Sequence, residues 1–145
     1  MSGKSFIDTN ILVYAHDESD ITKHRRAMQL IDRLWDERGG VLSTQVIQEF
    51  VVSLRRKVRV KLSALEIRRR MESFLLWEIV INQPRAAIRA LEIEEKYGIS
   101  FWDAMIVQAA ESAGCEVLYS EDLSHEQEYE GVLVVNPFLD EKAGG

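Results

Sequence analysis

The sequence contains little of what disulfide-bonded, repetitive or membrane-spanning proteins need. Its 145 residues include one cysteine, two prolines and eight glycines. The lone Cys115 cannot form an internal disulfide, and so little proline and glycine argues against a disordered tract. The longest apolar runs, such as ILVYA and FLLW, are far too short to cross a bilayer. Because MSGKSF also lacks the apolar segment of a secretory signal, we expect a cytoplasmic protein with no membrane partner.

Apolar residues make up 46% of the chain and charged residues 29%, which is typical of a globular protein. The length fits one domain spanning residues 1–145, with a frayed tail at 141–145. Net charge is −6, but the charge is unevenly placed. Residues 55–70 hold eight of the 18 Lys and Arg, whereas nine acids and one Lys follow from Glu111 onwards. A basic patch on an acidic protein indicates a polyanion, an acidic partner or a plain solvated face.

Short apolar segments alternate with longer segments of helical periodicity. The predicted strands are Ser5–Asp8, Val41–Ser43, Trp77–Ile81, Glu116–Ser120 and Val132–Val135. The predicted helices are Asn10–His16, Ile21–Arg38, Gln45–Val58, Ala64–Phe74, Pro84–Lys96 and Trp102–Ala113. Strands separated by helices require crossover connections. The pattern therefore predicts an α/β fold with a central parallel five-stranded sheet and helices on both faces.

Four acidic residues are predicted to meet at one edge of this sheet. Asp8 closes the first predicted strand and Asp122 follows the fourth, so both lie at the carboxyl edge, where such sheets bind ligands. Glu49 and Asp103 lie near the start of helices that leave the same edge. Each also has a structural alternative: a helix cap for Asp8, a capping box with Ser100 for Asp103, a turn for Asp122 and a surface position for Glu49.

Four carboxylates in one place would raise each other's pKa values unless a cation neutralised them. Mg²⁺ and Mn²⁺ prefer carboxylate oxygen and water. No Lys or Arg follows Asp8, Asp103 or Asp122 within several residues. The sequence thus predicts an acidic pocket that binds a divalent metal ion.

The motifs FIDTNILVYA, QEF, FWDAMIVQAA and LYSEDL occur in this order between residues 5 and 137. Together they resemble the PIN domain, and particularly the VapC-type toxins of toxin–antitoxin systems. The resemblance implies a three-layer α/β/α sandwich and endoribonuclease activity that depends on Mg²⁺ or Mn²⁺, with one or two ions. Asp8, Glu49, Asp103 and Asp122 match the acidic quartet of that family.

The resemblance also implies roles beyond the quartet. Thr9 and Ser120 match hydroxyl positions that help to hold metal, water or phosphate. We expect Asp8 and Asp103 to be the strongest metal ligands, Asp122 to bind the same or a second ion, and Glu49 to bind metal or orient water. Implied partners are an RNA substrate, an antitoxin protein whose C-terminal arm blocks the site, and a second copy in a homodimer.

The basic residues after the Glu49 helix have three open interpretations. They are Arg55, Arg56, Lys57, Arg59 and Lys61. They could contact RNA phosphates, with Arg55 and Arg56 named as substrate-binding candidates, or they could meet the antitoxin or only face solvent.

Other functions fit the sequence less well. A receiver-like phospho-switch needs an acceptor Asp after the third strand and a Lys after the fifth, but Asn82 and Asn136 lie there. A haloacid-dehalogenase-like phosphatase needs a second Asp where Asn10 lies. A catalytically silent PIN scaffold stays possible from sequence. The apolar surroundings of Trp35, Trp77 and Trp102 predict core positions rather than platforms for base stacking.

Overall fold

The computed structural model describes residues 3–57 and 61–139, so the tail predicted to fray at 141–145 lies outside the described residues. The elements are β1 (Ser5–Ile7), α1 (Thr9–Tyr14), α2 (Ile21–Glu37), β2 (Gly40–Ser43), α3 (Thr44–Lys57), α4 (Ala64–Glu72), a short 3-10 helix (Ser73–Leu76), β3 (Glu78–Val80), α5 (Pro84–Tyr97), α6 (Phe101–Ser112), β4 (Val117–Tyr119), β5 (Glu128–Tyr129) and β6 (Val132–Val135). Every predicted helix and strand is present, with ends that differ by at most two residues, and the predicted helix end at Val58 lies outside the described residues.

The sheet has the strand order β3-β2-β1-β4-β6-β5 and is flanked by helices. The first five strands in this order pair in parallel, which confirms the predicted α/β sandwich. The central strand β1 pairs with β4 so that Ile7 faces Tyr119. The next residues of both strands, Asp8 and Ser120, therefore emerge side by side at the carboxyl edge.

The predicted five-stranded sheet is wrong by one strand. The sixth strand, β5, is only two residues long and pairs antiparallel with β6. Glu130 and Gly131 connect the two strands with φ values of 51° and 84°. Two successive positive φ angles are the signature of a type I′ hairpin turn. The Glu-Gly pair is a weaker signal for this turn than Asn-Gly or Asp-Gly, which explains why sequence reasoning missed the strand.

A continuous apolar core fixes the sheet and its helices. Phe6, Ile7, Leu42, Leu118 and Val134 are all completely buried. Helix α1 packs against α2 and α3, and α5 packs against α6. No helix in the described part of the chain is both long and apolar enough to cross a membrane.

Candidate metal-dependent nuclease site

A cleft of about 440 Å³ opens at the carboxyl edge of the sheet, between α3 and α6. Its lining residues come from four separate parts of the chain: Asp8, Thr9, Asn10, Gln45, Gln48, Glu49, Val52, Ser53, Arg56, Trp102, Asp103, Ile106 and Asp122. All four acids predicted from the sequence are among them. The structure therefore brings together the acidic residues that the strand and helix pattern assigned to this edge.

Asp8 is held by both of its carboxylate oxygens. The backbone N–H of Thr9 donates to Oδ1 at 2.7 Å, which makes Asp8 the N-cap of α1. The hydroxyl of Ser120 donates to Oδ2 at 2.9 Å. The side chain is only 6% exposed. Burial raises the pKa of Asp8 to about 7 against these two hydrogen bonds, and the neighbouring Asp122 and Asp103 raise it further. Asp8 therefore caps α1, and its carboxylate is less stable in the charged form than an exposed carboxylate would be.

The hydroxyl of Ser120 makes several hydrogen bonds beneath the cleft, besides the one to Asp8. Its Oγ also accepts hydrogen bonds from the backbone N–H groups of Asp122, at 3.2 Å, and Leu123, at 3.3 Å. The residue is fully buried and does not line the cleft. Its contacts fix Asp8 and the loop that carries Asp122.

Glu49 is anchored from two directions. The hydroxyl of Thr9 donates to Oε1 at 2.6 Å, and Nε2 of Gln45 donates to Oε2 at 3.3 Å. Gln45 Nε2 also donates to the carbonyl of Trp102 at 3.3 Å, so it links α3 to the start of α6. Oε1 of Gln45 is buried without a hydrogen-bond partner, a costly arrangement. Sequence reasoning missed Gln45, although it lies one helical turn before Glu49.

Asp103 lies in the first turn of α6. Ser100 caps this helix by accepting from the backbone N–H of Asp103 at 3.1 Å, so the predicted cap is present at the site itself. Burial raises the pKa of Asp103, and the charges of Asp122 and Glu49 act in the same direction. Their repulsion shows that the acids lie within electrostatic reach of each other.

Asp122 is oriented by Asn10, whose Nδ2 donates to Oδ2 at 3.0 Å. The preceding acid, Glu121, contacts Tyr14 and Lys23 on α1 and α2 instead. Of the two neighbouring acids in SEDL, the structure thus directs only Asp122 into the cleft.

The donor set fits a hard divalent cation in chemical type and in charge. The cleft presents carboxylate, hydroxyl and amide oxygens, and its acids repel one another. However, no three acidic, histidine or cysteine side chains within residues 3–57 and 61–139 already converge as a complete metal site. Binding an ion here would require the carboxylates to draw together.

One face of α3 continues the cleft away from the acids. Gln45, Gln48, Glu49, Val52, Ser53 and Arg56 follow the spacing of a single helical stripe. Of the basic residues predicted to meet RNA, Arg56 lines the cleft, whereas Arg55 is exposed outside it. Lys61 is also exposed, while Arg59 and the side chain of Lys57 lie outside the description.

Trp102 corrects the predicted assignment of all three tryptophans to the core. Trp77 is buried, and Trp35 packs against the core as a partly buried residue. Trp102 is 62% exposed and lines the cleft next to Asp103. The apolar pattern around it comes from α6, whose other side is deeply buried.

Several solved structures share this fold. The VapC20 toxin of Mycobacterium tuberculosis, a sarcin-ricin loop cleaving toxin, is 18% identical, with a TM-score of 0.63 over 82% of this chain and 90% of that chain. A toxin–antitoxin complex from Klebsiella pneumoniae is 19% identical, with a TM-score of 0.67 over 92% and 98%. FitAcB from Neisseria gonorrhoeae is also 19% identical, with a TM-score of 0.58 over 92% and 98%. At these identities the likeness concerns the fold.

No curated protein matches the sequence significantly. The PIN domain family, in contrast, matches residues 5–127, which include β1, β4 and all four acids of the cleft. The chain therefore belongs to the PIN domain family.

Proposed function

We propose that this protein is an endoribonuclease that hydrolyses RNA phosphodiester bonds with the help of Mg²⁺ or Mn²⁺. The observation that carries the proposal is that Asp8, Glu49, Asp103 and Asp122 all line one cleft, with raised pKa values for Asp8 and Asp103. PIN domains generally use divalent metal ions. A bound ion would supply a water of lowered pKa and neutralise charge on the phosphate.

The protein groups have separate tasks in this proposal. Asp8 and Asp103 would hold the ion, Asp122 would hold the same or a second ion, and Glu49 would bind metal or orient a water molecule. Thr9 and Ser120 hold Glu49 and Asp8 in place through the hydrogen bonds described above. Mutating a residue that supports a metal ligand in this way typically lowers metal affinity or activity 10- to 100-fold.

The biological role we propose is the toxin of a toxin–antitoxin pair in the cytoplasm. Structural relatives include a toxin that cleaves the sarcin-ricin loop and a toxin–antitoxin complex. These relatives support an antitoxin partner. Our proposal adds that this partner blocks the cleft and that the working form is a homodimer.

Incubating the purified protein with total RNA, and mapping the new ends, tests the activity. We expect a small set of internal cuts with Mn²⁺ or Mg²⁺ and none with EDTA. An absence of cuts with either ion would instead favour a silent scaffold that only binds RNA or protein.

Arg56 lines the cleft and its neighbour Arg55 does not, so the two residues allow a matched test of RNA contact. We expect Arg56→Ala to lower the slope of log affinity against log salt by about 0.7, the value for one phosphate contact on single-stranded nucleic acid. Arg55→Ala should leave the slope unchanged, because Arg55 does not line the cleft. Filter binding across a salt series in EDTA gives both slopes.

Equal slopes for both variants and the wild type would show that Arg56 does not hold RNA. The basic segment then serves a protein partner if Arg56→Ala cleaves RNA normally but escapes inhibition by the product of the neighbouring gene.

A further inference from the structure

We infer that Trp102 is a stacking platform for an unpaired base next to the scissile phosphate. The inference rests on the proposed nuclease function and adds a residue that recognises substrate. It starts from the unusual exposure of this tryptophan inside the acidic cleft.

The position of Trp102 is fixed although its side chain is exposed. Its backbone lies in the first turn of α6, between Phe101 and Asp103. Gln45 donates to its carbonyl and to Glu49 with the same amide nitrogen, at 3.3 Å in each case. The Phe101 ring packs edge-on against the indole, with centroids 5.4 Å apart. An indole held in this way beside a proposed metal ligand loses little conformational freedom when a planar group stacks on it.

The rest of the cleft shows which occupant fits the indole. Val52, itself 49% exposed, and Ile106 add apolar surface to the walls. Arg56 lies seven residues beyond Glu49 on α3, or about 10 Å along the helix. The cleft thus presents acids, then an apolar wall, then a cation. A nucleotide chain has the complementary sequence of groups: a phosphate at the metal, a planar base, and a further phosphate for the arginine.

Base stacking on aromatic side chains requires that the base be free of its own helix. Proteins that recognise RNA sequence typically bind such unpaired bases, because the narrow major groove of an RNA duplex hides base edges. A duplex would keep its bases stacked on each other, away from Trp102. We therefore expect strong discrimination against paired RNA at the cleavage site.

The test uses a short RNA that carries one mapped cleavage site, together with versions that are abasic at each of the two nucleotides on either side. Trp102→Ala should raise KM, and the Kd measured in EDTA, by about 5- to 150-fold, the range of base–aromatic stacking on alanine substitution. Trp102→Phe should restore most of the affinity, and the apolar Trp102→Leu should not. Leu76→Ala is the matched control, since Leu76 is 79% exposed and contributes to a pocket around Gly40, where β2 begins.

Two readouts separate stacking from a packing role. At one abasic position, wild type and Trp102→Ala should bind the RNA with equal affinity, because the lesion already removes the stacked base. RNA binding should quench the tryptophan fluorescence of the wild type but not of Trp102→Phe, because Trp35 and Trp77 line that second pocket and not the cleft.

Three results would overturn the inference while the wild type still cleaves this RNA. They are unchanged KM and Kd in Trp102→Ala, an equal penalty on intact and every abasic RNA, or conversion of a dimer to a monomer by Trp102→Ala in light scattering. The last result would assign the exposed indole to a second copy of the chain. If the wild type cleaves no RNA with Mn²⁺ or Mg²⁺, the proposed nuclease function itself fails.

Discussion

Asp8→Asn is expected to lower RNA cleavage by more than about 100-fold, the largest loss usual for residues that merely orient a metal ligand. The amide keeps the shape of the side chain and the cap on Thr9, but it has no charge to bind a cation. Asp103→Asn should have a similar effect. Cleavage of a labelled RNA under single-turnover conditions with Mn²⁺ measures both variants.

The same substitution should stabilise the metal-free protein above neutral pH. Folding raises the pKa of Asp8 from 3.8 to about 7 through burial. The folded state therefore favours the protonated acid, and the metal-free wild type loses stability as pH rises from about 4 to 7. Asp8→Asn lacks this titration. The difference in free energy of unfolding between Asp8→Asn and the wild type should therefore grow by on the order of 2 kcal/mol between pH 5 and pH 8. Urea unfolding in EDTA at both values gives the difference.

Asp17→Asn is the matched control for these measurements. Asp17 is another buried acid, held by Ser19 and outside the cleft. Its substitution should leave cleavage intact. Full metal-dependent cleavage by purified Asp8→Asn, or a stability advantage that does not grow with pH, would contradict the role assigned to Asp8.

The second large effect expected is stabilisation by metal. A cation that binds only the folded state adds about 2.7 kcal/mol when its concentration is 100 times Kd. For a chain of this size, this corresponds to a rise in Tm on the order of 5 to 10 °C. Millimolar Mn²⁺ or Mg²⁺ should produce the rise in differential scanning calorimetry, because the ion removes the repulsion that Asp8 and Asp103 experience.

Asp8→Asn should lose most of this shift and Asp17→Asn should keep it. An equal rise in the wild type and Asp8→Asn would place the ion somewhere other than the cleft.

Much of this arrangement could be predicted from the order of strands and helices. Apolar periodicity predicted α2 and α3 correctly because their apolar side chains form one buried face in each helix. In α2 this face consists of Ala27, Leu30, Ile31 and Leu34. The edge position of Asp8 and Asp122 followed from strand ends alone, and the family match covers the part of the chain that holds all four acids. Parallel pairing of β1 with β4 then placed Ser120 beside Asp8.

Sequence could not reveal features that depend on side-chain direction. The indole of Trp102 turns outward from an otherwise buried helix, and Gln45 connects two helices that are far apart in the chain. The hairpin of β5 and β6 depends on positive φ at Glu130, which local composition does not favour. The separation of Arg55 from Arg56 arises from the rotation of α3, which fixes which of the two neighbours faces the acids.

The hydrogen bond from Ser120 to Asp8 joins residues that are 112 positions apart. During synthesis, β1 must wait for β4 before it gains its central neighbour, and Asp122 is made later still. A nascent chain that ends before Ser120 has neither the donor that holds Asp8 nor the last acid of the cleft. The proposed site therefore cannot assemble on a nascent chain until β4 and the residues up to Asp122 have been made.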